Sequence, residues 1–273
     1  MAARAERIGA DKTRLEFWRL LTLAILAGAF IGFGSMLANI AGVGAAGVLP
    51  YGLTRLIVGL VFSLGLILVV VGGAELFTGN NLMVMAWAGG KVGAREVLRA
   101  WLIVYAGNFI GAGATAAFVF LAGHYDDAGG AVGAAALAAA RDKVELAFFP
   151  ALVRGILANV LVCLAVWLCY SARSTTDRIL AIVPPIAAFV AASFEHSVAN
   201  MYLLPFALLI KAGAPASFWT AIGSSPEVHA GLTWTAVAAN LLPVTIGNII
   251  GGALLVGAVY WFVYLYGRAT ASG

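Results

Sequence analysis

Five uncharged runs, residues 20–54, 56–74, 100–123, 155–172 and 228–267, set the terms for any fold this chain can adopt. A bilayer core roughly 30 Å thick is crossed by about 20 helical residues. In lipid every backbone polar group must be satisfied within its own segment, so runs of this kind become helices. Composition closes the alternative. With 63% of 273 residues hydrophobic and 10% charged, no soluble domain could cover its apolar surface. The chain reads as an all-α integral membrane protein whose first partner is the lipid bilayer.

The opening stretch "MAARAERIGADKTRLEFW" is charged and lacks a short apolar region followed by a small-residue cleavage site. Residues 1–16 are therefore read as a cytoplasmic N-terminal segment, which gates the pathway or merely starts a solvated helix. The net charge of +4 invites a nucleic-acid partner, but Arg4, Arg7, Lys12, Arg14 and Arg19 flank the first run. There, basic residues set membrane orientation, and no nucleic acid is expected. Cys163 and Cys169 lie in an apolar run without a neighbouring His or acid, and read as small buried hydrophobes. No metal site and no cofactor is expected.

Two segments do not fit a straight crossing. "ELFTGNN" follows the run 56–74 and leads into another apolar piece, 82–88. "SFEHSVANM" divides two apolar pieces, 179–194 and 197–210, each short for a bilayer. Taking both as single broken spans gives six crossings with both termini cytoplasmic. Lys91, Arg95, Arg99, Arg173, Arg178 and Arg268 then join the amino-terminal basics, as the positive-inside rule requires. Splitting the first segment in two would move Lys91, Arg95 and Arg99 outside. Residues 17–266 form a six-helix transmembrane domain in this reading, and 267–273 a short cytoplasmic tail.

The breaks recur. "GNFIGAG" at 107–113 returns as "GNIIGGA" at 247–253, and Glu75 precedes Asn80 by the interval that separates Glu195 from Asn200. Three crossings per half put the halves in opposite orientation, and paired broken helices point to a midplane transport site. Gly28–Gly32, Gly107–Gly111 and Gly247–Gly251, each four apart, allow close helix packing.

Non-helical backbone at membrane depth is tolerated where protein buries it or a cavity hydrates it. The first break supplies Thr78, the flexible Gly79 and two amides, the second His196, Ser197 and Asn200, all suited to a small polar solute. Glu75 and Glu195 either line the path, where they would favour cations, or face away and accept hydrogen bonds from freed backbone N–H groups. The second, structural reading covers Glu75, Glu195 and Asn200. An ionisable residue within a span is a functional candidate by default, which singles out His196. His124 and His229 fall in outer loops and are read as solvated.

"GAELFTGN", "GILANVLVCLAVW", "FEHSVANMYLLP" and "NLLPVTIGNIIGG" together resemble the formate/nitrite transporter family, from about Arg19 to Tyr266. The resemblance implies an aquaporin-like six-helix bundle of two inverted three-helix repeats, with helices two and five broken. It implies a homopentamer with one pore per subunit in a bacterial cytoplasmic (inner) membrane. The implied substrates are formate, nitrite or hydrosulfide, small monovalent anions of weak acids. His196 resembles the central pore histidine and Thr78 the threonine that hydrogen-bonds it. Lys143 and Asn159 resemble residues that attract and hold the anion, and Asn248 a further pore asparagine. Phe62, Leu66 and Phe189 resemble apolar constrictions either side of the histidine.

This resemblance describes a channel or transporter, not an enzyme. A charge in the dry bilayer centre costs several kcal/mol or more. An imidazole with an ordinary pKa near 6.5 could donate a hydrogen bond or a proton to a basic anion, whose neutral acid then crosses. The alternative is an aquaporin-like channel for small neutral solutes, but Asn-Pro-Ala stands at neither break. A haem-bearing redox subunit needs histidines paired across helices, and only His196 lies within a span. A cation-coupled carrier would use Glu75 and Glu195 as ligands.

Overall fold

The computed structural model describes residues 1–45 and 48–267. Arg268 and nearly all of the short tail lie outside the described residues. The elements run α1 (Ala2–Thr13), α2 (Phe17–Gly42), α3 (Tyr51–Gly72), α4 (Phe77–Asn80), a 3₁₀ turn (Asn81–Met83), α5 (Val84–Ala88) and α6 (Ala94–Leu121). The second half continues with α7 (Ala131–Val144), α8 (Phe148–Cys169), α9 (Thr175–Ala191), α10 (Ser197–Gly213), α11 (Ala216–Ala221) and α12 (Trp234–Ile249). The last crossing ends in a π-helical segment (Ile250–Ala258) and α13 (Val259–Tyr264). No strand occurs among the described residues.

Among the described residues, five helices are long and apolar enough to cross a membrane. The sixth crossing is the pair α9 and α10, separated by the break at 192–196. Helix α3 likewise stops short and resumes as α4, the 3₁₀ turn and α5. In the first half α2 packs against α3 and α6; in the second, α8 packs against α9 and α12. The two equivalent helices α3 and α9 meet across the middle, where Gly59 leaves no room for a side chain beside the Ala187 backbone. Several further close approaches are where the four-residue spacing puts them. Gly28 lies on Asn108 and Ala112, Gly111 on Ile25, and Gly247 and Gly251 on Leu152 and Ile156. Without a hydrophobic drive between helices in lipid, the van der Waals contact that such proximity allows helps to hold the bundle together.

The structure adds detail to the sequence reading at several places. The first uncharged run is not continuous helix: α2 ends at Gly42 and α3 begins at Tyr51. Residues 2–13 are neither a bare extension nor solvated all round. Ala2, Ala5, Gly9, Ala10 and Thr13 are buried, with Gly9 against Met83 and Ala86. Small residues on one face of α1 let it lie flat on the underside of the first break. His229 is buried rather than solvated: it stacks tilted on Trp219 and reaches Ser224 at 3.4 Å. We call the face that carries α1 the near face and the opposite one the far face.

A candidate conduction site between two breaks

Each break is built by the same three devices. The first is a left-handed residue two positions before the acid, which turns the chain out of its helix. Gly73 has φ 76° and Ser193 has φ 57°. Ala74 N–H then closes on Val69 C=O, and Phe194 N–H on Phe189 C=O.

The second device is a clamp asparagine. Asn108 on α6 accepts from Phe77 N–H at 2.8 Å and donates to the Ala24 and Glu75 carbonyls. Asn248 on α12 accepts from Ser197 N–H at 3.0 Å and donates to the Gly155 and Glu195 carbonyls. A buried, unpaired backbone group costs about 1–3 kcal/mol, so one fully buried amide that settles three of them holds the break open. This explains why "GN" recurs on helices three and six.

The third device is an anchored acid. Glu75 bonds Asn80 Nδ2 at 2.8 Å and pairs with Lys12 Nζ at 3.0 Å. Glu195 bonds Asn200 Nδ2 at 2.7 Å and pairs with Lys143 Nζ at 2.8 Å. The acids' side-chain partners are an amide and an ammonium, not the freed backbone N–H groups, which the asparagines take instead. Lys12 had been visible only as an orientation signal. It is the counterpart of Lys143, brought in by α1 as Lys143 is by α7.

Between the breaks, a side chain from each half meets the other. Thr78 Oγ1 lies 2.9 Å from His196 Nε2. His196 also caps α10, its Nδ1 accepting from Ala199 N–H at 3.1 Å. A nitrogen that accepts carries no hydrogen, so the neutral ring has its proton on Nε2 and donates it to Thr78. The Thr78 hydroxyl hydrogen is then free for another acceptor.

Two cavities approach this pair. The near one, about 240 Å³, is lined by Arg4, Lys12 and Arg178 with Leu66, Glu75 and Leu76 deeper in. The far one, about 410 Å³, is lined by Arg55, Lys143 and Arg154 and ends on Phe62, Phe189 and His196. Phe62 and Phe189 meet edge to face at 5.5 Å, and Phe189 stacks on His196 at 5.8 Å. Leu66 is one turn of α3 further in, and 1% exposed. Phe62 and Phe189 thus belong to the far side of the ring and Leu66 to the near side.

The model of the formate/nitrite transporter family matches residues 1–262. The chain belongs to that family. It is 46% identical over 266 residues to the formate channel FocA of Escherichia coli strain K12, covering 97% of this chain and 93% of that one. To the formate channel FocB of the same strain it is 39% identical over 267 residues, 97% and 93% of the two chains. Among solved structures it resembles a pentameric formate channel with formate bound, with TM-score 0.87, 42% identity, and 91% and 98% of the two chains covered. An FNT family ion channel aligns with TM-score 0.81 and 25% identity over 96% and 98%. Transport, not catalysis, is the business of a formate/nitrite transporter.

Within this family member, the residues singled out from sequence fall into two groups. His196, Thr78, Lys143, Phe62, Leu66 and Phe189 have side chains at the cavities or at the link between the halves. Asn159 and Asn248 are fully buried with both amide hydrogens already donated. Asn159 gives them to the carbonyls of Thr78 at 3.2 Å and Asn248 at 2.6 Å. Of the polar groups in the first break, Asn80 serves Glu75 and Asn81 serves the Phe77 carbonyl. The Thr78 hydroxyl has a hydrogen to spare beside His196. Sequence reasoning missed Asn108, whose mirror relation to Asn248 was present in the repeated "GN".

Proposed function

We propose that the protein is a channel for formate and similar small monovalent anions of weak acids, nitrite and hydrosulfide among them. It works as a homopentamer in a bacterial cytoplasmic membrane, with the near face cytoplasmic. The similarity to formate channels and to a pentameric relative supports this reading. The observation that carries it is the His196–Thr78 hydrogen bond, which leaves one hydroxyl hydrogen for an anion where the far cavity ends on an apolar ring.

Lys143 on one side, with Lys12 and Arg178 on the other, raises the local concentration of anions. A bare charge cannot pass Phe62, Phe189 and Leu66 cheaply, because apolar rings offer nothing in place of hydration. Thr78, polarised by the Nε2–H of His196, stabilises the anion at the crossing point. To hand over a proton as well, the imidazole must take a second one at Nδ1 and release the Ala199 amide. Proton transfer is thereby coupled to loosening the first turn of α10. Asn159 and Asn248 act on the anion through what they hold, not by touching it.

Fluxes of formate, nitrite and nitrate in the same proteoliposomes test the reading. Nitrate matches nitrite in charge and nearly in size, but is the anion of a strong acid and a poor hydrogen-bond base. A barrier difference of about 4 kcal/mol gives roughly a thousandfold difference in rate. Formate and nitrite should pass far faster than nitrate at mildly acidic pH. Equal nitrate and nitrite fluxes would remove the donor role of His196 and Thr78.

A further inference from the structure

The Thr78 hydroxyl can face His196 only if the short helix α4 is held from behind. Its carbonyl end shows how. The Thr78 carbonyl accepts from Asn159 Nδ2 at 3.2 Å and from the Cys163 thiol at 3.3 Å, both on α8. The preceding carbonyl, that of Phe77, accepts from Asn81 Nδ2 at 2.9 Å. Asn81, Asn159 and Cys163 are all fully buried.

Behind these three side chains lies one residue, Gly252, on the π-helical segment. A Cβ at that position would stand 2.8 Å from Asn81 Cβ, 2.8 Å from Cys163 Sγ, and closer still to Asn159 Nδ2. These are the three residues that grip the α4 carbonyls, and each is hemmed in by its own hydrogen bond. The π-helix matters here because its i→i+5 repeat puts Gly252 and Gly257 on the same face. Gly257 abuts Val84 and the Asn81 carbonyl. Two gaps five residues apart accommodate the first break along its length.

We propose that Gly252 is a positioning residue for anion selectivity: the space it leaves lets Asn159, Cys163 and Asn81 fix the Thr78 hydroxyl against His196. This rests on the reading of that pair as the anion's donor. Gly252→Ala pushes the Asn159 amide off the Thr78 carbonyl, shifts α4 and lengthens the Thr78–His196 bond, with no new group in the path.

The test is the ratio of formate to nitrate flux in vesicles carrying wild type, Gly252→Ala, Cys163→Ala and Cys163→Ser. A merely structural loss leaves less active protein and lowers both fluxes together, so the ratio stays put. Misplacing the donor lowers formate and spares nitrate. Gly252→Ala is expected to cut the ratio tenfold or more. Cys163→Ala, which removes one donor and adds no atoms, should cut it two- to fivefold, and Cys163→Ser, which can still donate, should restore it. A Gly252→Ala protein that assembles with the wild-type ratio overturns the proposal. If that variant does not assemble, an unchanged ratio in Cys163→Ala overturns it instead, because the grip that Gly252 makes room for would set nothing. A wild type without preference for formate would sink the donor reading itself. A selective wild type with an indifferent Gly252→Ala would sink only this inference.

Discussion

Laid one over the other, the two breaks agree in scaffold and differ in chemistry. Gly73 and Ser193 turn the chain, Glu75 and Glu195 anchor it, Asn80 and Asn200 hold the acids, and Asn108 and Asn248 settle the freed backbone. One residue after each acid the likeness fails: Leu76 stands where the other half has His196. Two residues further on, Thr78 stands where the other half has Val198. Each half thus supplies one member of the hydrogen-bonded pair and an apolar residue at the other's position. An inverted repeat can be exact in what it takes to break a helix and still build a single, asymmetric donor at the centre. The donor needs two different groups, and each half need contribute only one.

The largest effect expected of breaking this comparison is on stability. Asn108→Ala and Asn248→Ala each strand one N–H and two carbonyls in a buried, low-dielectric site. A loss of about 3 kcal/mol or more is expected for each. Thermal unfolding of the detergent-solubilised protein should show two similar drops in Tm. A large drop for one variant and none for the other would mean that only one break depends on its clamp.

Next in size is the loss of the donor. His196→Asn keeps a good N-cap for α10, since asparagine accepts from the same backbone amide, so folding and assembly should survive. It cannot titrate, and it offers Thr78 no ring N–H. Removing a hydrogen bond worth about 1.5–3 kcal/mol at the barrier corresponds to roughly a 10- to 100-fold loss of formate flux. The flux that remains should vary little between pH 5 and 8. Leu76→His, the mirror substitution, should gain nothing, because Val198 offers no hydroxyl opposite it. A His196→Asn channel with wild-type flux and pH profile would take the imidazole out of the mechanism.

Much of this is legible in the sequence alone. Helix-length uncharged runs, the doubled Glu-x₄-Asn spacing and the doubled "GN" give six crossings, two breaks and their equivalence, because lipid forces secondary structure onto sequence so directly. What stayed hidden depends on partners distant in the chain. Glu75 and Lys12 are 63 positions apart, and nothing local distinguishes that lysine from the other amino-terminal basics. Asn248 and Asn159 read from the family resemblance as groups that meet the anion, but their amide hydrogens go to carbonyls that only the folded halves bring near. The π-helical segment has no signature beyond its glycines, since its extra residue per turn is set by what it packs on. His229 shows the same limit in reverse: a histidine in a connecting stretch looks solvated until Trp219 covers it.

The smallest expected effect tests the remaining mismatch, at the turn itself. Gly73 and Ser193 adopt the same left-handed conformation, which glycine reaches without penalty and an L-residue reaches at a cost of about 1–2 kcal/mol. Nothing surrounds Gly73 within 4 Å of where a Cβ would lie, so Gly73→Ser probes backbone conformation and not packing. The Ser193 hydroxyl makes no hydrogen bond among the described residues, so Ser193→Gly gives up no contact of that kind. Glycine returns part of the gain through the greater freedom of the unfolded chain, about 0.5–1 kcal/mol. Ser193→Gly should therefore stabilise the protein by about 0.5–1 kcal/mol and Gly73→Ser should destabilise it by a similar amount, both with formate flux intact. Opposite and nearly equal shifts in Tm would establish that the two turns are one device written with two residues. A loss of stability in Ser193→Gly would mean that the serine holds its turn through something other than backbone conformation, and the scaffold of the second break would no longer be a copy of the first.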